Sequence, residues 1–584
     1  MANPLDDNFN FASKSMELLF QLAVTDPKIA FLPYLKIAEK MASRPEKIKK
    51  SREDLFDRLA ELQKSFADTW FDSVRKHSET DDDFFDNNPA IIFVRKFHET
   101  VSEWMMNLID EADGLDPFSL NSAKFFTKQY IHMTSPDNFP FLNPKVIKEA
   151  LNTGGENFIK GMGLLLEDIK NGAVSTNDRT PFEVGKNLAV TPGKVVFQND
   201  IIELIMYSPS TPKVFATPLL FISPWINKFY ILDLNPEYSF VRWAVDNGFT
   251  VFMISWVNPD AGYRNKGLDD YVADGLAASL NKIADLTKTK SVHAVGYCVG
   301  GTILSAYMAY TASPHCRHRP KTNIVSATLL TTPLDFEHAG DMVAFITEGY
   351  LEAVSVYSKA KGFLSGNILY NTFNALRSKD MIWRYVIDSY MLGKKPQAHE
   401  ILFWNSDPVN LSESMLHSLA KDLYRDNMLK KGLLKILGVP VNMSLVKTPV
   451  YMISMERDHL VPWQATFDGI KLFSGTVRFV LGGSGHVAGV INHPALNKYW
   501  YRVNQRNIET AREWFDTAEK IVGSWWNDWL DWIKPAAGPL IDPPEVSDFI
   551  RDAPGIYVKN QLPQPDRQLR PSSETPGETT GPTG

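Results

Sequence analysis

A cysteine stands where a catalytic nucleophile could be held at a sharp turn. Residues 296–300 read Gly-Tyr-Cys-Val-Gly, which is the G-x-S-x-G nucleophile spacing with cysteine in place of serine. An apolar run at 292–295 predicts a strand before it, and 302–311 predicts a helix after it. The N-terminus of that helix would favour a thiolate on Cys298. We therefore predict that Cys298 attacks an acyl carbon, with the backbone N–H of Val299 stabilising the oxyanion.

The acid and the base for this cysteine are expected further along the chain. Folds that carry this motif order their residues as nucleophile, acid and histidine. Asp458 follows an apolar run at 450–455, and His486 ends a glycine-rich loop that follows 478–481. We predict that His486 accepts the thiol proton and that Asp458 fixes its tautomer and supports the imidazolium.

Rival residues lie close to this acid and this base. His459 adjoins Asp458 and is a rival base, while Glu456 is a rival acid. Adjacent residues of one loop seldom both face one site, so we favour Asp458 with His486. His293 falls inside the predicted strand before the motif and is expected to pack in the core. Cys316 lies in a basic loop and is interpreted as incidental.

The elements that must position these residues alternate between strands and helices from residue 194 onward. This alternation predicts an α/β-hydrolase fold with a mostly parallel sheet covered on both faces. Residues 198–200 predict the turn of a hairpin. The alternation breaks at about 333–447, where a helical, aromatic stretch predicts a cap inserted over the sheet. The predicted strands are 195–197, 201–207, 219–222, 251–256, 291–295, 324–331, 450–455 and 478–481.

The rest of the chain divides into a helical N-terminal domain (1–178), the catalytic domain (179–560) and a disordered tail (561–584). Apolar residues at steps of three and four predict a helix with Ser51 as its N-cap, and a second such helix follows. We expect these stripes to pack against each other, with a partner or lipid-like surface as the alternative. Further helices are expected after His486, with a packed tryptophan cluster. The first stripe comprises Leu55, Leu59, Leu62, Phe66, Trp70 and Val74.

Composition narrows the class of protein. The chain has 584 residues, 44% hydrophobic and 22% charged, with a formal net charge of -7. Such a balance gives no basic field for nucleic acid. Two cysteines cannot build a disulfide framework, which favours a reducing, cytoplasmic location. Neither a signal peptide nor an apolar run long enough for a transmembrane helix is found.

Several long motifs resemble the class I polyhydroxyalkanoate (poly-3-hydroxybutyrate) synthases. The resemblance runs from about residue 194 to 559, and more loosely through the N-terminal part. Trp225 departs from the family, which often has a cysteine or a small residue there. The matching segments are 224–234, 255–260, 296–302, 329–336, 402–405, 458–463 and 484–492.

This resemblance implies a function and carries three residues over. The family's catalytic cysteine, aspartate and histidine correspond to Cys298, Asp458 and His486. It implies an acyltransferase that polymerises (R)-3-hydroxyacyl-CoA, mainly 3-hydroxybutyryl-CoA, through a covalent cysteine thioester. It also implies release of CoA, a polyester that stays bound as a granule, and a homodimer in which the N-terminal domain helps dimerisation and granule attachment. Granule-associated proteins are further possible partners.

Other expectations concern the walls of the site. We predict Ile226 as a second backbone oxyanion donor, from a loop that Asp233 would support. No cofactor or metal site is predicted, and CoA is only a leaving group. The hydrophobic cap would exclude water. The basic residues of the cap either mark the entrance for the CoA phosphates or form a solvated basic face, and we favour the solvated face for any single residue; they are Arg377, Lys379, Lys394, Lys395, Lys421 and Arg425.

Two alternatives remain open. One is a hydrolase of the same fold, either a thioesterase or a polyester depolymerase. The other is a non-catalytic granule-coating protein in which the amphipathic N-terminal helices are the functional part.

Overall fold

Five helices form the N-terminal part of the chain in this computed structural model, which describes residues 45–76, 85–112, 115–171, 174–504, 506 and 508–560. The first begins at Pro45, so the prediction that Ser51 is its N-cap is wrong. Asn88 and Asp116 cap the second and third helices, each followed by the proline that favours a helix start. The five helices are α1 (Pro45–Lys76), α2 (Pro89–Asp110), α3 (Pro117–Met133), α4 (Pro144–Asn152) and α5 (Glu156–Asn171).

The strands that follow build one large sheet and three small ones. All eight predicted strands are present, with bounds that differ by no more than two residues. The strands are β1 (Gly193–Gln198), β2 (Ile202–Tyr207), β3 (Val214–Phe215), β4 (Leu219–Ile222), β5 (Val251–Trp256), β6 (Ser291–Tyr297), β7 (Asn323–Leu330), β8 (Phe363–Leu364), β9 (Leu411–Ser412), β10 (Lys435–Ile436), β11 (Val439–Pro440), β12 (Val450–Met455), β13 (Val477–Gly482), β14 (Trp500–Val503), β15 (Glu519–Val522), β16 (Leu540–Ile541) and β17 (Arg551–Asp552).

The large sheet runs in the order β15-β14-β13-β12-β7-β6-β4-β5-β2-β1-β17. Its six central strands, from β13 to β5, are parallel, and the strands on both flanks are antiparallel. The predicted hairpin is β1-β2. The helices expected after His486 are present, but β14 and β15, which extend the sheet there, were not predicted. Their short lengths and mixed burial hide them from a periodicity argument.

Both faces of the sheet are covered, as the α/β-hydrolase prediction requires. Alternate residues of the central strands face two separate apolar clusters. The tryptophan cluster belongs to one of them, where Trp525, Trp526 and Trp529 are buried around Phe240. The remaining α-helices are α6 (Phe240–Asp246), α7 (Leu268–Asp270), α8 (Ala278–Thr287), α9 (Val299–Ala312), α10 (Glu348–Lys361), α11 (Gly366–Leu376), α12 (Glu400–Asn405), α13 (Glu413–His417), α14 (Trp463–Gly469), α15 (Ala511–Thr517) and α16 (Trp525–Ile533).

The segment between β7 and β12, where the sequence predicts the insertion, contains α10 to α13 with several π-helical turns. The N-terminal helices lie against it. Gln129 of α3 donates to the carbonyl of Ala375 at 3.0 Å, and His132 shares a hydrogen bond with Ser378 at 2.8 Å. Phe125 packs edge-on against Phe345. The predicted disordered tail, 561–584, lies outside the described residues.

Candidate active site

Cys298 occupies the turn between β6 and α9 in a backbone conformation that few side chains adopt. Its φ is 51° and its ψ is -126°. A residue other than glycine at positive φ is strained, and such strain is typical of functional sites. The conformation lifts the side chain out of the strand and leaves it partly buried at the carboxyl end of the parallel sheet. This is the strand-turn-helix context that the motif predicts.

The glycines around the cysteine are required by close packing. A Cβ on Gly296 would stand 2.4 Å from the Cα of Gly301. One on Gly300 would meet the carbonyl oxygen of Ile222 at 2.3 Å, and one on Gly301 would meet Thr332 at 2.0 Å. The turn is therefore pressed between β4 and the end of β7, which fixes the direction of the cysteine.

His486 and Asp458 meet beside this turn. Nδ1 of His486 donates to Oδ2 of Asp458 at 2.6 Å, and both side chains are buried. The other carboxylate oxygen accepts the backbone N–H groups of Leu460 and Val461, each at 2.9 Å. Asp458 is thereby held in one orientation by its own loop, and it holds the imidazole in turn.

Cys298 faces the same imidazole. Burial disfavours the charged ring, but the charges of Asp458 and Cys298, together with the hydrogen bond that the ring donates to Asp458, outweigh it and raise the pKa of His486 to about 10. The three predicted residues are thus brought together, with the histidine hydrogen-bonded to the aspartate and within electrostatic reach of the cysteine. An imidazolium that pairs with a thiolate is chemically competent for nucleophilic attack on an acyl carbon.

Two tyrosines lie near the site. The ring of Tyr297 stacks on that of His486 with centroids 5.5 Å apart, and its hydroxyl donates to the His486 carbonyl at 3.3 Å. Tyr424 comes from the insertion and packs edge-on against Phe336. Burial and the charges of Cys298 and Asp458 raise the pKa of Tyr424, so this phenol lies within electrostatic reach of the nucleophile. The sequence analysis missed Tyr424, since no local pattern marks it.

The rival residues are placed differently. No hydrogen bond between His459 and Asp458 is found in the described chain, and burial lowers the pKa of His459 to about 4. Oε2 of Glu456 is buried without a hydrogen-bond partner among the described residues. His293 packs in the core and shares a hydrogen bond with Ser326, as predicted. Cys316 is a free cysteine that packs at the edge of the core beside α9.

Two backbone N–H groups are available near the cysteine. In the part of the chain that the structure describes, no hydrogen bond is donated by the N–H of Val299 or of Ile226. Val299 is the first residue of α9, where N–H groups lack partners inside the helix. Ile226 lies in the loop after β4, whose Ser223 carbonyl faces Gly300. These groups are the predicted oxyanion donors.

Asp233 anchors the far end of that loop. It is buried and accepts hydrogen bonds from the hydroxyls of Thr191 and Ser239. Burial raises the pKa of Asp233 to about 6, although both hydroxyls oppose the rise. The contacts fit the supporting role that the sequence analysis gave it.

The basic residues of the insertion are partly engaged elsewhere. Arg377 pairs with Asp380 and Lys421 with Asp426. Arg425 donates to the carbonyl of Ile346. These contacts weaken the case for Arg377, Lys421 and Arg425 as phosphate ligands. The roles of Lys379, Lys394 and Lys395 stay predictions.

None of the described helices is long and apolar enough to cross a membrane. Within the same residues, no group of three or more His, Cys, Asp or Glu side chains is placed to hold a metal ion.

Comparison with known protein families gives two matches. Residues 76–244 match the family described as poly-beta-hydroxybutyrate polymerase (PhaC) N-terminus. Residues 225–492 match the alpha/beta hydrolase fold, in agreement with the sheet topology. The second match contains Cys298, Asp458 and His486, and both matches contain Ile226.

Curated relatives cover most of the chain. The poly(3-hydroxyalkanoate) polymerase subunit PhaC of Rhizobium meliloti (strain 1021) is 38% identical, covering 81% of this chain and 78% of the relative. The protein of the same name from Rhizobium etli is 39% identical, covering 83% and 77%. That of Cupriavidus necator is 37% identical, covering 80% of each.

Proposed function

The chain belongs to the poly(3-hydroxyalkanoate) polymerase family and is an acyltransferase, and from this premise we propose how it works and on what. It polymerises (R)-3-hydroxyacyl-CoA, mainly 3-hydroxybutyryl-CoA, through an acyl thioester on Cys298. The observation that carries the proposal is the buried hydrogen bond of His486 to Asp458, with Cys298 within electrostatic reach of the same imidazole.

The first step transfers the acyl group to the enzyme. The Cys298 thiolate attacks the thioester carbonyl, and the N–H groups of Val299 and Ile226 stabilise the oxyanion. The bond to CoA then breaks, and CoA leaves as a thiol with the proton from His486. A thioester is exchanged for a thioester, so the acyl group stays activated.

The second step extends the polymer. His486, now neutral, accepts the proton of an incoming hydroxyl, and the resulting oxygen nucleophile attacks the acyl group on Cys298. An oxygen ester forms and the cysteine thiolate returns beside the imidazolium. This step is favourable because a thioester has a higher free energy than an oxygen ester. Asp458 stabilises the imidazolium in each cycle.

Cysteine suits this sequence better than serine. A serine would form an ordinary ester at the first step and lose the activation before elongation. The insertion supports the proposal because its buried Tyr424, which packs on Phe336, lies within electrostatic reach of the nucleophile. Water that reached Cys298 would hydrolyse the intermediate.

The assembly and location follow the family. We propose a homodimer in the cytoplasm that stays attached to its polyester granule, with the N-terminal helices contributing to dimerisation and attachment. Granule-associated proteins are proposed partners. No cofactor is included in the scheme, since CoA serves only as the leaving group.

Supplying purified protein with 3-hydroxybutyryl-CoA tests the proposal. We expect CoA release together with insoluble polymer, and neither product with Cys298→Ala. Free 3-hydroxybutyrate as the main product would indicate a hydrolase instead. CoA release that survives in Cys298→Ala would show that the nucleophile is another residue. A wild-type chain that releases no CoA would favour the alternative of a non-catalytic granule-coating protein.

A further inference from the structure

A buried ion pair lies beside the candidate active site and takes no part in the chemistry above. Nζ of Lys228 is 2.8 Å from Oδ1 of Asp407, and the two side chains are only 3% and 2% exposed. The hydroxyl of Tyr230 donates to the other carboxylate oxygen at 3.0 Å. Two charges removed from water cost free energy that their attraction does not always offset. We therefore consider a role for this pair other than stabilising the fold.

This pair joins two segments that are distant in sequence. Lys228 lies in the loop after β4, and Asp407 lies just after α12 of the insertion. An isolated antiparallel bridge pairs Asn227 with Pro408. The indole of Trp404 donates to the carbonyl of Lys228 at 2.7 Å. Ion pair, backbone bridge and indole bond together fasten the loop to the insertion over two adjacent residues.

The fastened residues stand next to the second oxyanion donor. Ile226 is one residue before the bridge and two before the lysine. At its other end the loop presses on the nucleophile turn, where Gly300 leaves no room for a Cβ against Ile222 and Ser223. The backbone around Ile226 is therefore held at one end by the turn and at the other by the insertion.

We propose that Lys228 and Asp407 form a positioning pair, which holds the N–H of Ile226 in the orientation that acyl transfer to Cys298 requires. The proposal rests on the proposed function, which makes Cys298 the nucleophile and the N–H of Ile226 an oxyanion donor. An oxyanion donor acts through its orientation, and loss of one such donor slows acyl transfer about 10²- to 10³-fold in other enzymes. A donor whose orientation is less well fixed should lose part of this rate enhancement.

Asp407→Asn tests the pair through two reactions of the same sulfur. Acylation by p-nitrophenyl acetate forms an oxyanion, and the rate of p-nitrophenolate release measures it. Alkylation by iodoacetamide displaces iodide without any oxyanion. We expect acylation to slow by about 10- to 100-fold, as for a partly lost donor, with KM nearly unchanged and the alkylation rate at the wild-type value.

Asp528→Asn is a matched control. Asp528 also accepts a tyrosine hydroxyl and a cation, from Tyr451 and Arg478, but at the opposite end of β12 and β13. It should lower the unfolding temperature without slowing acylation. Equal slowing of acylation and alkylation in Asp407→Asn would overturn the proposal, because the damage would then lie in the nucleophile. Unchanged acylation would overturn it as well.

A double variant covers the case in which Asp407→Asn does not fold. Lys228→Met with Asp407→Leu leaves no unpaired buried charge, and such replacements are often tolerated. The double variant should fold, react with iodoacetamide at the wild-type rate and still react slowly with p-nitrophenyl acetate. Acylation at the wild-type rate would show that the pair has only a structural role. A separate experiment tests the substrate. If the wild-type protein is acylated by p-nitrophenyl acetate but releases no CoA from 3-hydroxybutyryl-CoA, only the proposed polymerisation is overturned.

Discussion

His486 donates to Asp458 at 2.6 Å across 28 residues of sequence, and the same imidazole faces Cys298. The carboxylate is fixed by the backbone N–H groups of Leu460 and Val461 before it binds the ring. The loop after β12 therefore fixes the carboxylate, and the carboxylate fixes the orientation of the imidazole relative to the sulfur. Changes at each step should have different consequences.

Asp458→Asn should slow CoA release by about 10²- to 10⁴-fold, as in other nucleophile-His-Asp sites. Asparagine keeps the size of the side chain but cannot stabilise the imidazolium. Initial rates of CoA release from 3-hydroxybutyryl-CoA measure the effect. Glu456→Gln is the control and should retain most of the rate. The reverse result would make Glu456 the acid.

Stability should depend on alkaline pH through His486. Its pKa is raised to about 10 in the folded chain from 6.5, so the folded state holds a proton that the unfolded state releases between these values. The contribution is complete below pH 6.5 and is lost as the pH rises through about 10. The unfolding temperature of the wild type should therefore fall more steeply over this range than that of His486→Gln. Parallel curves would contradict the raised pKa.

Gly300→Ala should disrupt the nucleophile turn. The added Cβ would meet two carbonyl oxygens of the neighbouring strand end, at 2.3 and 2.7 Å, and neither is the end of a flexible side chain. We expect loss of CoA release and a clearly lower unfolding temperature. Gly163→Ala is the control, because nothing lies within 4 Å of its Cβ in α5. It should raise helix stability by about 0.5–1 kcal/mol.

Structural features that depend on a local sequence pattern were predicted correctly. The turn at Cys298 follows from residue spacing, and the central strands follow from apolar runs such as Val251–Trp256. The order of Asp458 and His486 is a rule of the fold, so both could be chosen without knowing their distance. Ser51 was misplaced because proline starts a helix as well as serine does, and the helix begins at Pro45.

Contacts between distant segments could not be predicted. Nothing near Tyr424 indicates that it faces a cysteine 126 positions earlier in the chain. The pairing of Lys228 with Asp407 depends on how the insertion lies on the sheet, which no periodicity encodes. Strand β17 is two residues long and lacks alternation, so only its partner strand defines it.

Arg551→Met should loosen the C-terminal segment that adds β17 to the sheet edge. Arg551 pairs with Glu203, which is fully buried and also accepts the N–H groups of Ile556 and Tyr557. Removing the cation leaves a buried carboxylate with less compensation, at a cost of about 3–5 kcal/mol. Limited proteolysis and the unfolding temperature should both report it.

An exposed ion pair beside β3 and β16 provides a control for this change. Lys213 pairs with Asp542 at the surface, and both side chains are more than half exposed. Lys213→Gln should cost about 0–1 kcal/mol, as exposed pairs do. If the two variants were equally stable, the burial of Glu203 would not be what holds the segment.

Tyr424→Ala should change the fate of the acyl group more than the rate of its formation. The ring packs on Phe336 with centroids 4.9 Å apart and lies within electrostatic reach of Cys298. Its removal opens a path for water to the thioester, so the ratio of free 3-hydroxybutyrate to polymer should rise several-fold while CoA release persists. Tyr424→Phe keeps the ring and should retain the wild-type ratio. If Tyr424→Phe raised hydrolysis as much as Tyr424→Ala, the hydroxyl would matter and the ring would not. An unchanged ratio in both variants would mean that other residues of the insertion exclude water.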